Sequence, residues 1–226
     1  MAKARTGRSY KQKAYQFLKE AIMVRELRPG SKVSERILAA RLKMSRTPVR
    51  EAIYALRDEG WIAVAPWRGA VVRPVTRLEI DECTHLRMAI EPYAVELAMP
   101  RMGAKEIAYL DSLTESQKSI AGQEAANKFI TIDQSFHLYI AELTGNGRLL
   151  SIMRSLRDVH LRLGVEAVQI KQRYETTLSE HMAIVDALRT GNGPAAADAM
   201  RDHLRRTRDA LLAWFEASRE SGEYDT

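Results

Sequence analysis

Residues 45–60 read Ser45-Arg46-Thr47-Pro48-Val49-Arg50-Glu51-Ala52-Ile53-Tyr54-Ala55-Leu56-Arg57-Asp58-Glu59-Gly60, and this stretch decides the fold of the N-terminal part of the chain. Its apolar residues recur at the spacing of a helix with one buried face. We expect the Ser45 hydroxyl to cap the first turn and Gly60 to end the helix. Three arginines lie opposite the apolar face, namely Arg46, Arg50 and Arg57. This cationic side indicates a negatively charged partner.

The flanking residues predict the rest of a small module. Upstream, apolar residues from Ala14 to Ile22 predict a first helix, and Ser34 is a candidate N-cap for a second helix that ends near Leu42. Downstream, residues 61–64 and 70–72 are short β-prone runs separated by a turn, which predicts a hairpin. Three helices followed by a hairpin are typical of a winged helix-turn-helix.

Charge divides the chain after Val75. The net charge is +6, but residues 1–75 carry 17 Lys and Arg against 6 Asp and Glu, whereas the remainder carries 18 against 23. All five histidines lie in the second part. We therefore predict two domains, a basic DNA-binding domain at residues 1–75 and a second domain at residues 76–226 with a different task.

Composition excludes several classes of protein. No run approaches the roughly 20 apolar residues that a membrane-spanning helix needs, and the N-terminus lacks an apolar segment of the signal-peptide type. We therefore expect a cytoplasmic protein without a membrane partner. The single cysteine, Cys83, is most consistent with a small buried hydrophobe in a reducing compartment.

The predicted winged module has a direct physical interpretation. The 45–60 helix would enter the major groove of double-stranded DNA, where an arginine can make a bidentate contact to guanine. Arg68, at the tip of the hairpin, would approach phosphate or the minor groove. The alternative for each arginine is a solvated surface charge.

This part of the sequence resembles the GntR family of bacterial transcription regulators. The similarity rests on the segments 27–31, 34–36 and 45–52, on Leu56, and on the pairs Glu59-Gly60 and Arg68-Gly69. Matched position by position, the resemblance implies that the DNA-contacting residues are Glu35, Arg36, Ser45, Arg46, Thr47, Arg50, Arg68 and Gly69. Pro48 stands where some members have a second hydroxyl residue, so no phosphate contact is expected there.

From Thr76 onward the pattern is helical almost to the end. Thr76 and Glu79 form a capping-box pattern that starts a helix. Breaks are expected near Met102-Gly103, Ala121-Gly122, residues 144–147, Gln172-Arg173 and residues 191–194. The fold class is therefore mainly α: an N-terminal winged helix-turn-helix plus a C-terminal all-α bundle of six or seven helices.

Four polar residues fall on apolar faces of the predicted bundle helices. They are Asp133, His137, His181 and His203. Burying them without partners would be costly, and a carboxylate with three imidazoles suits a divalent transition metal of the Zn, Ni or Mn class. A hydrogen-bonded core histidine is the alternative for each one. His85 and His160 lack such neighbours and are interpreted as surface or packing residues.

The second part resembles the FCD ligand-binding domain of the FadR subgroup. The similarity rests on Arg87 with Glu91, Asp133 with Phe136-His137, Gly145-Asn146, Glu180-His181 with Ile184, and His203-Leu204. It implies that the four residues above are the metal ligands and that a small carboxylate effector binds on the metal. Arg87 and Asn146 are the candidate effector-binding residues, with Arg157 and Arg162 as weaker candidates. Arg87 could instead pair with Glu91 at the surface, and Asn146 could be a turn or cap residue.

These observations predict a non-enzymatic, homodimeric, metal-containing and effector-responsive transcription regulator, a repressor rather than an activator. Two winged modules would read a palindromic operator. A metal-ion sensor is the first alternative, and a metal-dependent hydrolase is the second. No nucleophile elbow or phosphate-binding loop accompanies the cluster, which disfavours the hydrolase.

Overall fold

The computed structural model describes residues 3–65, 69–120, 125–167, 170 and 173–220. The chain divides into two units between Val75 and Thr76. The N-terminal unit has three helices and a small sheet, and the second unit, Thr76–Glu220, is all-helical in its described residues. The predicted fold class is therefore confirmed.

The first unit is a winged helix-turn-helix. Its elements are α1 (Lys3–Met23), β1 (Lys32–Val33), α2 (Glu35–Arg41), α3 (Arg46–Asp58), β2 (Ile62–Ala65) and β3 (Gly69–Val72). The strands form an antiparallel sheet in the order β1-β3-β2, in which Ala63 pairs with Val71. The predicted hairpin is thus joined by a two-residue strand that the sequence pattern did not indicate.

Helix α3 buries the predicted apolar face. Val49, Ala52, Ile53 and Leu56 are all almost inaccessible to solvent. Gly60 has a φ of +80°, which favours glycine, and it follows the last turn as expected. The prediction for Ser45 is only half right, because Ser45 is the N-cap residue but its hydroxyl makes no capping hydrogen bond. In α2, by contrast, the side chain of Ser34 accepts from the backbone N–H of Ile37.

The second unit contains seven α-helices and a short 3-10 turn within its described residues. The helices are α4 (Arg77–Ala98), α5 (Ala104–Lys118), α6 (Ala125–Leu143), α7 (Gly147–Ser155), α8 (Arg157–Ala167), α9 (Arg173–Arg189) and α10 (Gly193–Glu220). The breaks expected at 102–103, 144–147 and 191–194 are present, whereas Ala121-Gly122 and Gln172 lie outside the described residues. An additional boundary at Leu156, between α7 and α8, was not expected.

The bundle is organised around α4 and α10, which pack against each other. Thr76 and Glu79 form the predicted capping box at the start of α4. The core includes Val95, Phe136, Ile184 and Met200, which come from four different helices. Over the part of the chain that the structure describes, no helix is long and apolar enough to cross a membrane.

Candidate metal centre and nucleic-acid interface

The second unit brings four predicted ligands together in its interior. Asp133 and His137 lie one turn apart on α6, His181 lies on α9 and His203 lies on α10. All four residues are buried, and each offers a ligand atom within 4.8 Å of the others. The nearest measured pair joins His181 Nε2 to Asp133 Oδ1 at 3.4 Å. These four residues come from three different helices, and they meet because each lies on the face of its helix that points into the bundle.

The Nδ1 atoms of His181 and His203 are hydrogen-bonded to an oxygen acceptor, and the Nδ1 atom of His137 lies against a carboxylate oxygen. His203 Nδ1 lies 2.8 Å from Glu180 Oε2, and His181 Nδ1 lies 2.9 Å from Gln117 Oε1. His137 Nδ1 lies 2.5 Å from Glu91 Oε2. A carboxylate or amide oxygen at Nδ1 favours the tautomer with its proton there, which leaves the Nε2 lone pair for a ligand.

The Nε2 nitrogens of the cluster support a metal-binding role. The Nε2 atoms of His137 and His181 are buried and have no hydrogen-bond partner among the described residues. A buried polar atom without a partner costs about 1–3 kcal/mol, which a coordination bond would offset. Zn, Ni and Mn all accept a donor set of three imidazole nitrogens and one carboxylate oxygen. A metal with a coordination number above four would keep positions open for another ligand. The residues present therefore fit a divalent transition metal.

The protonation states of the cluster suit a cation as well. Burial opposes ionisation of Asp133, but a hydrogen bond from His160 and the nearby imidazoles hold the pKa of that carboxyl well below its usual range. Burial, followed by the neighbouring imidazoles, lowers the pKa of His181 well below its usual range. Burial is also the largest influence on His203, whose pKa is lowered. An ionised Asp133 carboxylate beside the neutral imidazoles of His181 and His203 is the state in which such groups bind metal.

His160 on α8 belongs to the site, so its interpretation as an isolated residue was wrong. Its Nε2 lies 2.8 Å from Asp133 Oδ2, and its Nδ1 faces Arg87 Nη1. Burial, then the Arg87 charge, lowers the pKa of His160 to about 4, so the ring is neutral and donates to Asp133 through Nε2. His160 directly precedes the buried segment of α8, which was the available signal. His85, in contrast, is exposed as expected.

Arg87 is buried rather than at the surface. Its Nε donates to Glu91 Oε1, one turn further along α4, and both side chains are at most 4% exposed. Because Glu91 also contacts His137, a continuous polar chain runs from the cluster through Glu91, Arg87 and His160 to Asp133. The alternative of a surface ion pair for Arg87 and Glu91 is therefore excluded by burial.

A small, partly open pocket adjoins the cluster at His137. Its polar lining comes from Arg87, Gln134, His137, Arg157 and His160. Its apolar lining comes from Leu138, Met153 and Leu156. Ligand pockets are typically apolar clefts with a few placed polar groups, so this pocket is the candidate effector site.

The other candidate effector residues lie elsewhere. The side-chain oxygen of Asn146 is exposed and accepts from the backbone N–H groups of Arg148 and Leu149, so Asn146 is the N-cap of α7. Arg162 is buried and donates to Glu79 at 2.6 Å. Arg87 and Arg157 are the two candidates that line the pocket.

In the first unit, exposed cations lie together at the start of α3. Arg46 and Arg50 are both exposed and both donate to Glu35 on α2, with Arg50 making two bonds of 2.9 Å. The hydrogen bonds from Arg50 are the largest influence on Glu35, whose pKa is lowered. Glu35 therefore holds two arginines in place. Arg57 instead pairs with Asp58, and it stacks on Tyr54.

The remaining predicted DNA contacts that the structure describes are exposed to solvent. Arg36 is exposed in the first turn of α2, Ser45 and Thr47 are exposed at the start of α3, and Gly69 is exposed at the start of β3. Arg68 lies outside the described residues. The surface presents donors of the types that contact phosphates and guanine edges.

The fold and the site define a class of protein. A winged helix-turn-helix with an exposed cationic helix is joined to an all-helical unit that encloses a cluster of metal-ligand type. Such a combination is that of a DNA-binding protein with a separate regulatory domain.

Comparison with known proteins identifies the family. Residues 10–72 match "Bacterial regulatory proteins, gntR family", and residues 82–206 match the FCD domain. The chain therefore belongs to the gntR family of bacterial regulatory proteins and is a transcriptional regulator of the GntR/FCD type, which implies a non-enzyme.

Individual relatives agree with this assignment. An uncharacterized HTH-type transcriptional regulator of Streptomyces ambofaciens is 30% identical over 209 residues, which cover 91% of this chain and 86% of the relative. The HTH-type transcriptional repressor RspR of Escherichia coli is 24% identical over 200 residues, which cover 88% of each chain. The crystal structure of a GntR regulator from Rhodococcus sp. RHA1 is similar with a TM-score of 0.76 at 26% identity, covering 91% of this chain and 98% of that one.

Proposed function

We propose that this regulator is a homodimeric repressor of the FadR subgroup, whose operator affinity is lowered by a small organic acid bound beside a divalent metal. The observation that carries the proposal is the cluster of Asp133, His137, His181 and His203, in which the buried Nε2 atoms of His137 and His181 lack partners. Elemental analysis of the purified full-length protein tests the metal. If it contains no metal, and if His137→Ala with His181→Ala alters neither metal uptake nor the effector response, the four residues are only a polar core.

On the DNA side, we assign sequence reading to Arg46 and Arg50. Their exposure and their common anchor, Glu35, support this role, because a preorganised guanidinium loses less side-chain entropy when it binds a base edge. Arg36, Ser45, Thr47, Arg68 and Gly69 would contact the backbone of the DNA. Two copies of the winged unit would read a palindromic operator, with half-sites spaced by the dimer.

Gel-shift titration on the operator tests this assignment. Arg46→Ala and Arg50→Ala should each weaken binding by about 1–3 kcal/mol, and binding by the native protein should fall steeply with salt. Arg57→Ala is the matched control, since Arg57 lies on the same helix but is paired with Asp58. Equal affinity of all three variants and the native protein would refute the assignment. Sedimentation of the free protein and of the complex tests the homodimer.

The effector is assigned to the pocket beside His137. A carboxylate is the expected group, since Arg87 and His160 border the pocket and a divalent metal would supply a Lewis-acid site for a carboxylate oxygen. Effector binding would favour one placement of the DNA-binding units over another. The free energy of this shift cannot exceed the difference between the effector's binding free energies for the two placements. Asn146 would act indirectly, through the start of α7.

One experiment distinguishes the proposed effector-responsive repressor from the alternative function, a metal sensor. Operator binding is measured after chelation, after restoring Zn, Ni or Mn, and after adding organic acids to the restored protein. An effector-responsive repressor keeps its operator affinity when the metal alone is restored, and it releases DNA only when the acid is added. A metal sensor changes its operator affinity with the metal alone.

A further inference from the structure

The two carboxylate oxygens of Asp133 have different neighbours. Oδ1 lies 3.4 Å from Nε2 of His181, one of the candidate ligand atoms. Oδ2 lies 2.8 Å from Nε2 of His160 on α8, whereas Nε2 of His137 is 3.9 Å from it, which is too far for a hydrogen bond. Oδ2 is therefore hydrogen-bonded to a residue outside the cluster of four candidate ligands.

The neighbours of His160 determine which of its nitrogens carries the proton. Nδ1 faces Nη1 of Arg87, and a guanidinium has donors but no acceptor. In the neutral ring Nδ1 is therefore the acceptor, and the proton lies on Nε2. The Nε2–H group donates to Oδ2 of Asp133. Both nitrogens of His160 are engaged in this way, so the residue offers no lone pair to a metal.

His160 is held in place by its surroundings. The guanidinium that faces its Nδ1 is fixed, because Arg87 is 4% exposed and donates through Nε to Glu91. The start of α8 is tied to α6, because Gln134 Nε2 donates to the backbone carbonyl of Arg157 at 3.3 Å. The side chain of His160 is only 12% exposed. A donor that is fixed in this manner orients the carboxylate that accepts from it.

The orientation of Asp133 bears on how many metal positions the protein occupies. A carboxylate can bind a metal through one oxygen or through both. A hydrogen bond from a fixed donor to Oδ2 favours binding through Oδ1 alone. Binding through one oxygen leaves open a position that the second oxygen would otherwise take.

We propose that His160 is a positioning residue of the metal centre, which makes Asp133 bind a divalent metal through Oδ1 alone and so keeps a position open for an exogenous ligand. His160 acts through Asp133 and is not itself a ligand. This inference rests on the proposed function, because it requires a divalent metal at the cluster.

Titration of the full-length, metal-free protein with Co²⁺ tests the inference. Co²⁺ accepts the same nitrogen and oxygen ligands as Zn²⁺ and Ni²⁺, and its visible absorption weakens when its coordination number rises. His160→Asn keeps a polar side chain that is too short to reach Oδ2. This variant should bind Co²⁺ about 10–100-fold more weakly, because Asp133 is no longer oriented before the metal binds. Its absorption per bound ion should also be weaker, because Oδ2 is released to the metal.

A longer amide provides the rescue. The side-chain amide of His160→Gln reaches the position of Nε2 and can donate to Oδ2, so this variant should restore the native spectrum and an affinity within about threefold of the native value. His85→Asn is the matched control, since His85 is exposed on α4, and it should bind Co²⁺ as the native protein does. His160→Leu, which fills the space without a donor, gives the same comparison if the Asn variant does not fold.

The outcomes separate this inference from the proposed metal site. If the variant without a donor binds Co²⁺ with native affinity or with the native spectrum, or if His160→Gln is as impaired as that variant, the positioning role is wrong and the metal site stands. If the native protein binds no Co²⁺, Zn²⁺ or Ni²⁺, the metal site fails and the inference fails with it.

Discussion

Replacing Arg173 by Met should destabilise the helical domain strongly. Arg173 is 7% exposed and donates to both carboxylate oxygens of Glu180, at 3.0 and 2.9 Å, and to Thr207 at 2.6 Å. Glu180 is itself buried and accepts from His203 Nδ1. Methionine fills a similar volume without charge, so the variant removes the ion pair while limiting the cavity.

The expected loss in the free energy of unfolding depends on the groups that remain around Glu180 in the variant. Breaking a buried ion pair on one side costs about 3–5 kcal/mol, because the other charge stays in the interior. His203 still donates to Glu180, and Arg206 lies 3.6 Å from it, so we expect the low end, about 3 kcal/mol. Urea unfolding followed by circular dichroism at 222 nm measures the change, with an unchanged m-value as the check that the unfolded state is the same.

The matched control is an exposed arginine–carboxylate pair in the same domain. Arg189 donates to both oxygens of Asp111 at 2.7 and 2.9 Å, but both side chains are about half exposed. Solvent screens such a pair, so Arg189→Met should leave the unfolding midpoint almost unchanged. If Arg173→Met destabilises the protein no more than Arg189→Met does, burial does not control the strength of these pairs and the reasoning is wrong.

Three further predictions concern the same domain. Burial raises the pKa of Cys83 to about 11, so the native protein should react with a thiol reagent at pH 8 far more slowly than the urea-unfolded protein, and equal rates would contradict this. A Cβ at Gly164 would lie 2.8 Å from Ile130, so Gly164→Ala should cost about 1–3 kcal/mol in thermal unfolding, whereas Gly147→Ala, in open space, should not destabilise. Chelation should lower the melting temperature of the metal-loaded protein by about 5–10 °C at metal concentrations near 100 times Kd, and His181→Ala should abolish that difference.

Some residues of the candidate metal centre could be predicted from the sequence and others could not, depending on their positions along the helices. Asp133 and His137 were identifiable because they interrupt an apolar stripe at a spacing of one turn, and polar groups on such a stripe need partners. Glu180 stands on the buried face of α9 with Arg173, two turns earlier, and this pattern could have been recognised. His160 had one local signal, its position just before the buried segment of α8, but its partners, Asp133 and Arg87, are 27 and 73 residues away and could not be identified from the sequence.

The predictions for the DNA-binding unit succeeded where the signal was local. The apolar face of α3 and the glycine that follows it were correct, because helix periodicity and a positive φ depend on adjacent residues. Strand β1 was missed because two residues carry no periodicity and pair with β3, which is about 40 positions away. The hydrogen bonds of Arg46 and Arg50 to Glu35 were also missed, since they cross from α3 to α2.

The sequence by itself determined the two-part organisation, the mainly helical fold and the inward positions of Asp133, His137, His181 and His203. Helix periodicity, turn residues and charge distribution are local properties, and they can be evaluated without knowing which helices are neighbours. The tertiary structure alone decided which groups meet: the burial of Arg87 with Glu91, the contact of His160 with Asp133, and the pocket between them. These depend on the packing of α4, α6 and α8, which arises from distant parts of the chain and has no signal within any one segment.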